Sequence, residues 1–297
     1  MLSYWLVIGR AVILLVGLAY GGYSDLRSRE VTDRLWISMG IIGGALLLAS
    51  DMGGDPRALL VDAVVAFFVL EHFVSWEDYM GEHETLPLII EAILYVAIPA
   101  TIIYGYITHP AIFSVSSLIV VISVLIARGL FEARLLYGGA DAKALMVAAL
   151  VMPLTLAPFP LLFSPSTAAG STLVTYTPVC FNILVDGALL TLLVPIGILI
   201  RNLRHGFKEF PEALFLLEIP TQDLPKRFVW LRRPPPEGEE DVETAEEDLA
   251  LREAEAKRLT ELGIDRVLVT PQLPMVTALA FGAVVTLLVG NILFLVL

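Results

Sequence analysis

Tyr137-Gly138-Gly139-Ala140-Asp141-Ala142-Lys143-Ala144-Leu145 is the stretch on which the reading of this chain turns. Two glycines and an aspartate stand where a polar turn becomes an apolar helix, and the run from Leu145 to Leu162 is apolar enough to enter a bilayer. Asp141 is therefore expected at or just inside the hydrocarbon boundary. A carboxylate is costly there, and an ionisable group in that position marks a functional site by default. The plainer alternative is a helix cap, common work for an Asp at the start of a helix.

Working outward, the whole chain fits a membrane setting. Of its 297 residues 57% are hydrophobic and only 17% charged, with a mean hydropathy of +0.79. That is too apolar for a soluble domain of this size. Apolar runs occur at Trp5–Tyr20, Leu35–Ser50, Ala58–Ser75, Leu86–Tyr106, Ala111–Arg128, Asp141–Leu162, Pro178–Ile200 and Leu273–Leu297. They predict an all-α polytopic membrane protein of about eight transmembrane helices, each needing roughly 20 apolar residues. The second and third runs are short, and without a hairpin near Asp51–Pro56 the number falls to about six.

Other classes are excluded by composition. A net charge of −12 and a pI near 4.8 leave no basic surface for nucleic acid. Cys180 is the single cysteine, so no internal disulfide or cysteine-cluster zinc site can form. His72, His83, His109 and His205 show no pair at metal-ligand spacing. No metal or other cofactor is expected. A cleaved signal peptide is not the expected role of the first run, which lacks a basic leader and is interrupted by Arg10.

Orientation follows from the basic residues. With the N-terminus outside and eight spans, every Lys and Arg except Arg10 and Arg57 falls at or on the inner side. Both termini are then expected to face outward. Residues 1–200 read as the membrane core, 201–270 as a soluble cytoplasmic insert and 271–297 as the last span. The insert has short apolar runs at Ala213–Leu217 and Phe228–Leu231, and Pro234-Pro235-Pro236 is a stiff spacer. After it, the acidic run Glu237–Glu261 favours an exposed helix. A small α+β element is predicted. No internal repeat is evident, which gives an inverted-repeat transporter no support.

A second carboxylate gives Asp141 its meaning. The first span ends in Gly21-Gly22-Tyr23-Ser24-Asp25, and Asp25 is the first acid after a helix's worth of apolar chain, on the inner side. Asp141 opens the sixth span from that same side, so topology brings two distant aspartates to one depth. Two carboxylates in a poorly solvated place tend to share one proton. One serves as base on a water while the other, protonated, polarises a carbonyl and later protonates the leaving amine. Gly138 and Gly139 let a substrate strand approach closely, though a plain turn between spans also uses glycines.

Gly138-Gly139-Ala140-Asp141, with Ser24-Asp25-Leu26-Arg27-Ser28-Arg29-Glu30-Val31-Thr32-Asp33, resembles the type IV prepilin peptidases, most closely their archaeal preflagellin branch. Those are integral-membrane aspartic peptidases with a Gly-x-Gly-Asp motif that has a hydrophobic variant at its third position, here Ala140. The resemblance covers the two motifs and their flanking spans, about half of the chain. It implies that Asp25 and Asp141 are the catalytic pair. Substrates would be pilin- or archaellin-like precursors with a short basic leader and a hydrophobic helix, cut at the cytoplasmic membrane boundary. Bacterial members often carry a four-cysteine zinc loop and N-methylate the new terminus. One cysteine cannot build that loop, and no glycine-rich fingerprint for a methyl donor is present, so peptidase activity alone is expected. Thr270-Pro271-Gln272-Leu273-Pro274 also resembles archaeal members, although proline in a first helical turn accounts for it.

Other residues carry weaker signals. Asp33 reads as a cap of the second span, with substrate contact as the alternative. Arg27, Arg29 and Glu30 belong at headgroup level, where the arginines either anchor the chain or hold a substrate's charged segment. Lys143 points away from Asp141 on a helix and is expected to snorkel. Asp62, Glu71, His72, Glu91, Glu132 and Asp186 lie in or near apolar runs. Asp62 and Asp186 are the deepest, as interhelical hydrogen-bond partners or as a proton path. The acidic loop Glu77-Asp78 to Glu82-His83-Glu84 is expected to attract a basic leader. Two competing functions remain: a presenilin-like protease cutting within a transmembrane helix, and an ion-coupled transporter using Asp62, Asp141 and Asp186.

Overall fold

Apolar segments fold as helices because a backbone without water must satisfy its own polar groups. The computed structural model describes residues 2–50, 55–73, 85–110, 112–136, 138–162, 170, 172–173, 176–207, 209–231 and 245–295. In chain order these form α1 (Leu2–Ser28), α2 (Asp33–Ser50), α3 (Pro56–Glu71), α4 (Thr85–Thr108), α5 (Val115–Glu132) and α6 (Gly139–Val151). There follow α7 (Val179–Thr191), α8 (Leu193–Arg204), β1 (Leu217–Pro220), β2 (Val229–Leu231), α9 (Ala245–Glu261), β3 (Arg266–Pro271) and α10 (Met275–Val289). Local chemistry sets several starts. Asp55 caps α3 ahead of Pro56, and Ser114 caps α5 through the Ser117 N–H.

The protein is thus predominantly helical with one small sheet. Among the described residues, five stretches are long and apolar enough to cross a membrane: Tyr4–Ser28, Asp33–Ser50, Val115–Glu132, Val179–Arg204 and Met275–Phe294. Two helices are shorter than their apolar runs suggest. α3 has 16 residues and α6 has 13. At 1.5 Å per residue they extend about 24 and 20 Å, short of the roughly 30 Å hydrocarbon core. The run Asp141–Leu162 reads as one span, but its helix stops at Val151 because Pro153, Pro158 and Pro160 cannot continue it.

The chain divides into two compact units: Met1–Tyr23, Val31–Ala188 and Met275–Leu297 form the first, and Ser24–Glu30 with Leu189–Pro274 form the second. In the first unit α6 lies at the centre. Every residue from Ala144 to Met152 is buried, so the helix has no solvated stripe and is enclosed on all sides. It packs against α2, α3, α5 and α10. α2 and α6 run parallel and are tied at both ends. At their starts Lys143 Nζ donates to Asp33 Oδ1 at 2.6 Å. At their far ends the buried Arg10 donates to Val151 O at 3.1 Å, and to Leu46 O and Ser50 Oγ at 2.6 Å each. A guanidinium there satisfies the final carbonyl of α6 and complements the helix dipoles.

Glycines set how closely the other helices of this unit approach. Gly21 of α1 sits against Leu35 and Trp36 of α2, and a Cβ at that point would lie 3.3 Å from each. On α10, a Cβ at Gly282 would lie 2.4 Å from Ile183 O of α7.

The second unit holds a three-stranded antiparallel sheet in the order β1-β3-β2. Leu217 faces Val269 and Ile219 faces Val267 on one side, and Val229 faces Pro271 on the other. Ile219, Leu224, Val229, Ala256 and Val269 form its core. Asn202 of α8, buried, donates to Ala213 O at 2.9 Å and Leu216 O at 2.7 Å, fastening that helix to the approach to β1. The acidic helix is not uniformly solvated. Arg252 and Ala256 of α9 are buried and Leu259 is half-buried, a stripe at helical spacing. The triple proline and the start of the acidic run lie outside the described residues. Pro271 is the last residue of β3 rather than part of a helical turn. Only Pro274 stands directly before α10.

Candidate functional site

Asp141 is the third residue of α6, one turn into the enclosed helix, and it is itself buried. The cap position belongs to Gly138, whose carbonyl accepts the Asp141 N–H at 3.0 Å. Asp141 is therefore not the cap. Its carboxylate lies in the first turn, where the helix dipole favours negative charge. Gly138 has φ −97°, so no left-handed conformation demands glycine there. Space does: a Cβ at Gly138 would lie 2.7 Å from Asp141 Oδ2 and 3.2 Å from its Cγ. At Gly139 the nearest atom to such a Cβ is a Phe131 ring carbon at 3.9 Å. Of the two glycines, Gly138 makes room for the carboxylate. Ala140 is half-buried against the core.

Two residues on, Lys143 is spent on Asp33, the first residue of α2, rather than on snorkelling to headgroups. The pair is partly exposed, with side chains 22% and 45% accessible, so the attraction itself contributes about 1 kcal/mol or less. Its value is positional, since it sets the starts of α2 and α6 side by side.

Asp25 lies in the last two turns of α1 and is buried. Its carbonyl accepts the Arg29 N–H at 3.1 Å, and Arg29 Nη1 stands 4.0 Å from its Oδ1. Arg29 follows the end of α1 in a left-handed conformation, φ +61°, a place usually taken by glycine. Its Nη2 donates to Gln272 O at 2.8 Å, and its guanidinium carbon is 5.1 Å from the Phe228 ring centre. Arg252 stacks on the same ring at 5.3 Å and donates to Arg227 O. Burial lowers the Arg29 pKa from the usual guanidinium value, and the Asp25 charge opposes that shift. Arg29 is thus taken up by the protein itself.

The predicted residues therefore assemble as Gly138 with Asp141, Asp33 with Lys143, and Asp25 with Arg29. Asp25 and Asp141 belong to different units. The deeper carboxylates join helices. Asp62 of α3 accepts from Ser117 of α5 at 2.5 Å. Asp186 of α7 accepts from Thr286 of α10 at 2.7 Å and from the Ile292 N–H at 3.0 Å. Glu71 lies 3.4 Å from His72, whose Nδ1 is 2.7 Å from Phe68 O, and Glu132 pairs with Arg128 at 2.6 Å. The Glu91 side chain and the loop carrying Glu77, Asp78, Glu82, His83 and Glu84 lie outside the described residues. Among the described residues no three His, Cys, Asp or Glu side chains gather at metal-binding range.

No protein-family model matches the chain, and no curated protein matches it. The sequence marks Phe228 only as the start of an apolar run and Gln272 only as part of a proline-rich stretch, and it does not mark Arg252; all three gain their contacts through tertiary pairing. Arg10 did carry a local signal, as a lone charge in an apolar run.

Proposed function

We propose that this chain is a membrane aspartic endopeptidase. It would remove short basic leaders from preflagellin- or prepilin-like precursors at the cytoplasmic boundary of the cell membrane, with Asp25 and Asp141 as its catalytic pair. The proposed membrane topology has six to eight spans, adding α4 and the shorter α3 and α6 to the five membrane-length stretches.

The observation that carries the reading is the Asp141 carboxylate, buried at the start of an enclosed helix beside a glycine where any side chain would push it aside. A carboxylate is costly to bury unless it is paired or hydrogen-bonded, and one that opens an apolar helix marks a candidate site.

In the proposed reaction one ionised aspartate takes a proton from water, whose oxygen attacks the scissile carbonyl carbon. The other, protonated, donates a hydrogen bond to the carbonyl oxygen as it gains charge. Collapse of the tetrahedral adduct breaks the C–N bond, and the departing nitrogen takes a proton from a carboxylic acid. No side-chain nucleophile is needed. Such a substrate already lies in the membrane, so a boundary site shortens its search.

The presenilin-like alternative places its first aspartate within a span, whereas Asp25 sits at the end of α1, next to an arginine-rich segment. For the transporter alternative, the hydrogen bonds of Asp62 and Asp186 across helix pairs favour a structural role for both. The deciding experiment is cleavage of a leader-bearing pilin-like protein by purified wild type, Asp25→Asn and Asp141→Asn in lipid vesicles. Either substitution is expected to eliminate product while the protein still inserts. Retained turnover in one of them refutes the pair.

A further inference from the structure

Arg29 is held more firmly than a surface arginine has reason to be. It occupies a left-handed backbone position that costs a non-glycine residue free energy, and such positions persist only where surrounding contacts over-determine them. Those contacts come from the sheet unit. Gln272 lies just past β3, and its carbonyl accepts from Arg29 Nη2, while its own N–H donates to Phe228 O at 3.0 Å. Phe228 presents its ring to the guanidinium, and Arg252, buried, covers the same ring. The remaining nitrogens are not used up. Arg29 Nε and Nη1 are buried and make no hydrogen bond among the described residues, and Nη1 is the atom 4.0 Å from Asp25 Oδ1. The guanidinium is thus held through Nη2 by the sheet unit, with Nη1 its nearest atom to the Asp25 carboxylate.

We propose that the sheet unit serves as the anchor for Asp25, with Phe228 and the Gln272 carbonyl holding Arg29, and Arg29 in turn fixing the Asp25 carboxylate. This gives the long insert a role that the membrane core alone does not explain. Arg29 and Phe228 are positioning residues here; neither touches the substrate. The part of this inference that concerns catalysis rests on the peptidase reading, while the anchoring itself does not.

Two measurements on the full-length protein in lipid vesicles separate the two claims. The first needs no substrate: the rate at which a water-soluble carbodiimide and an amine label Asp25, read by mass spectrometry. Asp25 is expected to label slowly in wild type and in Phe228→Tyr, which keeps the ring. In Arg29→Gln and Phe228→Leu it is expected to label about tenfold faster, as a carboxylate freed from a stacked guanidinium would. Unfolding temperatures close to wild type establish that the effect is local. Equal labelling rates in wild type and Arg29→Gln overturn the anchor.

The second measurement is cleavage of a synthetic precursor with a basic leader and an apolar helix. Arg29→Gln and Phe228→Leu are expected to lower kcat about tenfold with KM unchanged, Phe228→Tyr to match wild type, and Arg29→Lys to recover only part of the loss. A rise in KM at constant kcat overturns positioning in favour of leader binding. A wild type that leaves the precursor intact refutes the peptidase reading alone, and the labelling rates still decide the anchor.

Discussion

Lys143 reaches Asp33 at 2.6 Å, and this contact places the start of the enclosed helix α6 beside the start of α2. The pair is partly exposed, so its energy is modest. A double-mutant cycle through Asp33→Asn and Lys143→Met is expected to give a coupling of about 0.5–1 kcal/mol, shrinking as salt is raised. Unfolding in detergent at two ionic strengths measures it, and a coupling that salt leaves unchanged contradicts the assignment.

The two glycines before Asp141 are expected to behave differently. Gly138→Ala puts a methyl group where the Asp141 carboxylate now lies, whereas Gly139→Ala meets nothing closer than Phe131 at 3.9 Å. Turnover of a leader-bearing precursor is expected to fall about a hundredfold in Gly138→Ala, the order of loss that an ångström of misplacement produces. Gly139→Ala is expected to stay near wild type. Equal effects from the two would show that the glycines act as a flexible turn instead.

Asp186→Asn tests the deeper carboxylates. Thr286 and the Ile292 N–H both donate to Asp186, and an amide keeps one acceptor. A loss of about 1 kcal/mol of stability is expected, with leader cleavage intact. Abolished cleavage at unchanged stability would move Asp186 into the site.

Helix approach makes a further test. A Cβ on Gly282 would stand 2.4 Å from Ile183 O, while one on Gly129 meets nothing within 4 Å. Gly282→Ala is expected to cost about 2 kcal/mol or more by forcing α7 and α10 apart. Gly129→Ala, in the last turn of α5, is expected to be neutral or to stabilise by about 0.5 kcal/mol. Thermal unfolding of both variants decides it.

Much of this was legible in the sequence, and the failures have physical reasons. Apolar run length located the helices, because a segment that cannot reach water has few other ways to satisfy its backbone. It overestimated α6, since prolines 153, 158 and 160 are apolar enough to extend the run but cannot extend the helix. Asp141 stood out as a carboxylate entering such a run. The reason for its preceding glycine was hidden, because the crowding involves a side chain rather than a torsion angle. Arg29 was grouped with Arg27 as an interface residue. Its partners Phe228 and Gln272 lie 199 and 243 residues downstream, and no local pattern joins them.

Arg10 has a mechanical consequence. By gripping the final carbonyl of α6 and the Leu46 carbonyl near the end of α2 at once, while Lys143 and Asp33 clasp their beginnings, it makes two rods into one strut braced at both ends. In the proposed enzyme that strut is the mount for Asp141.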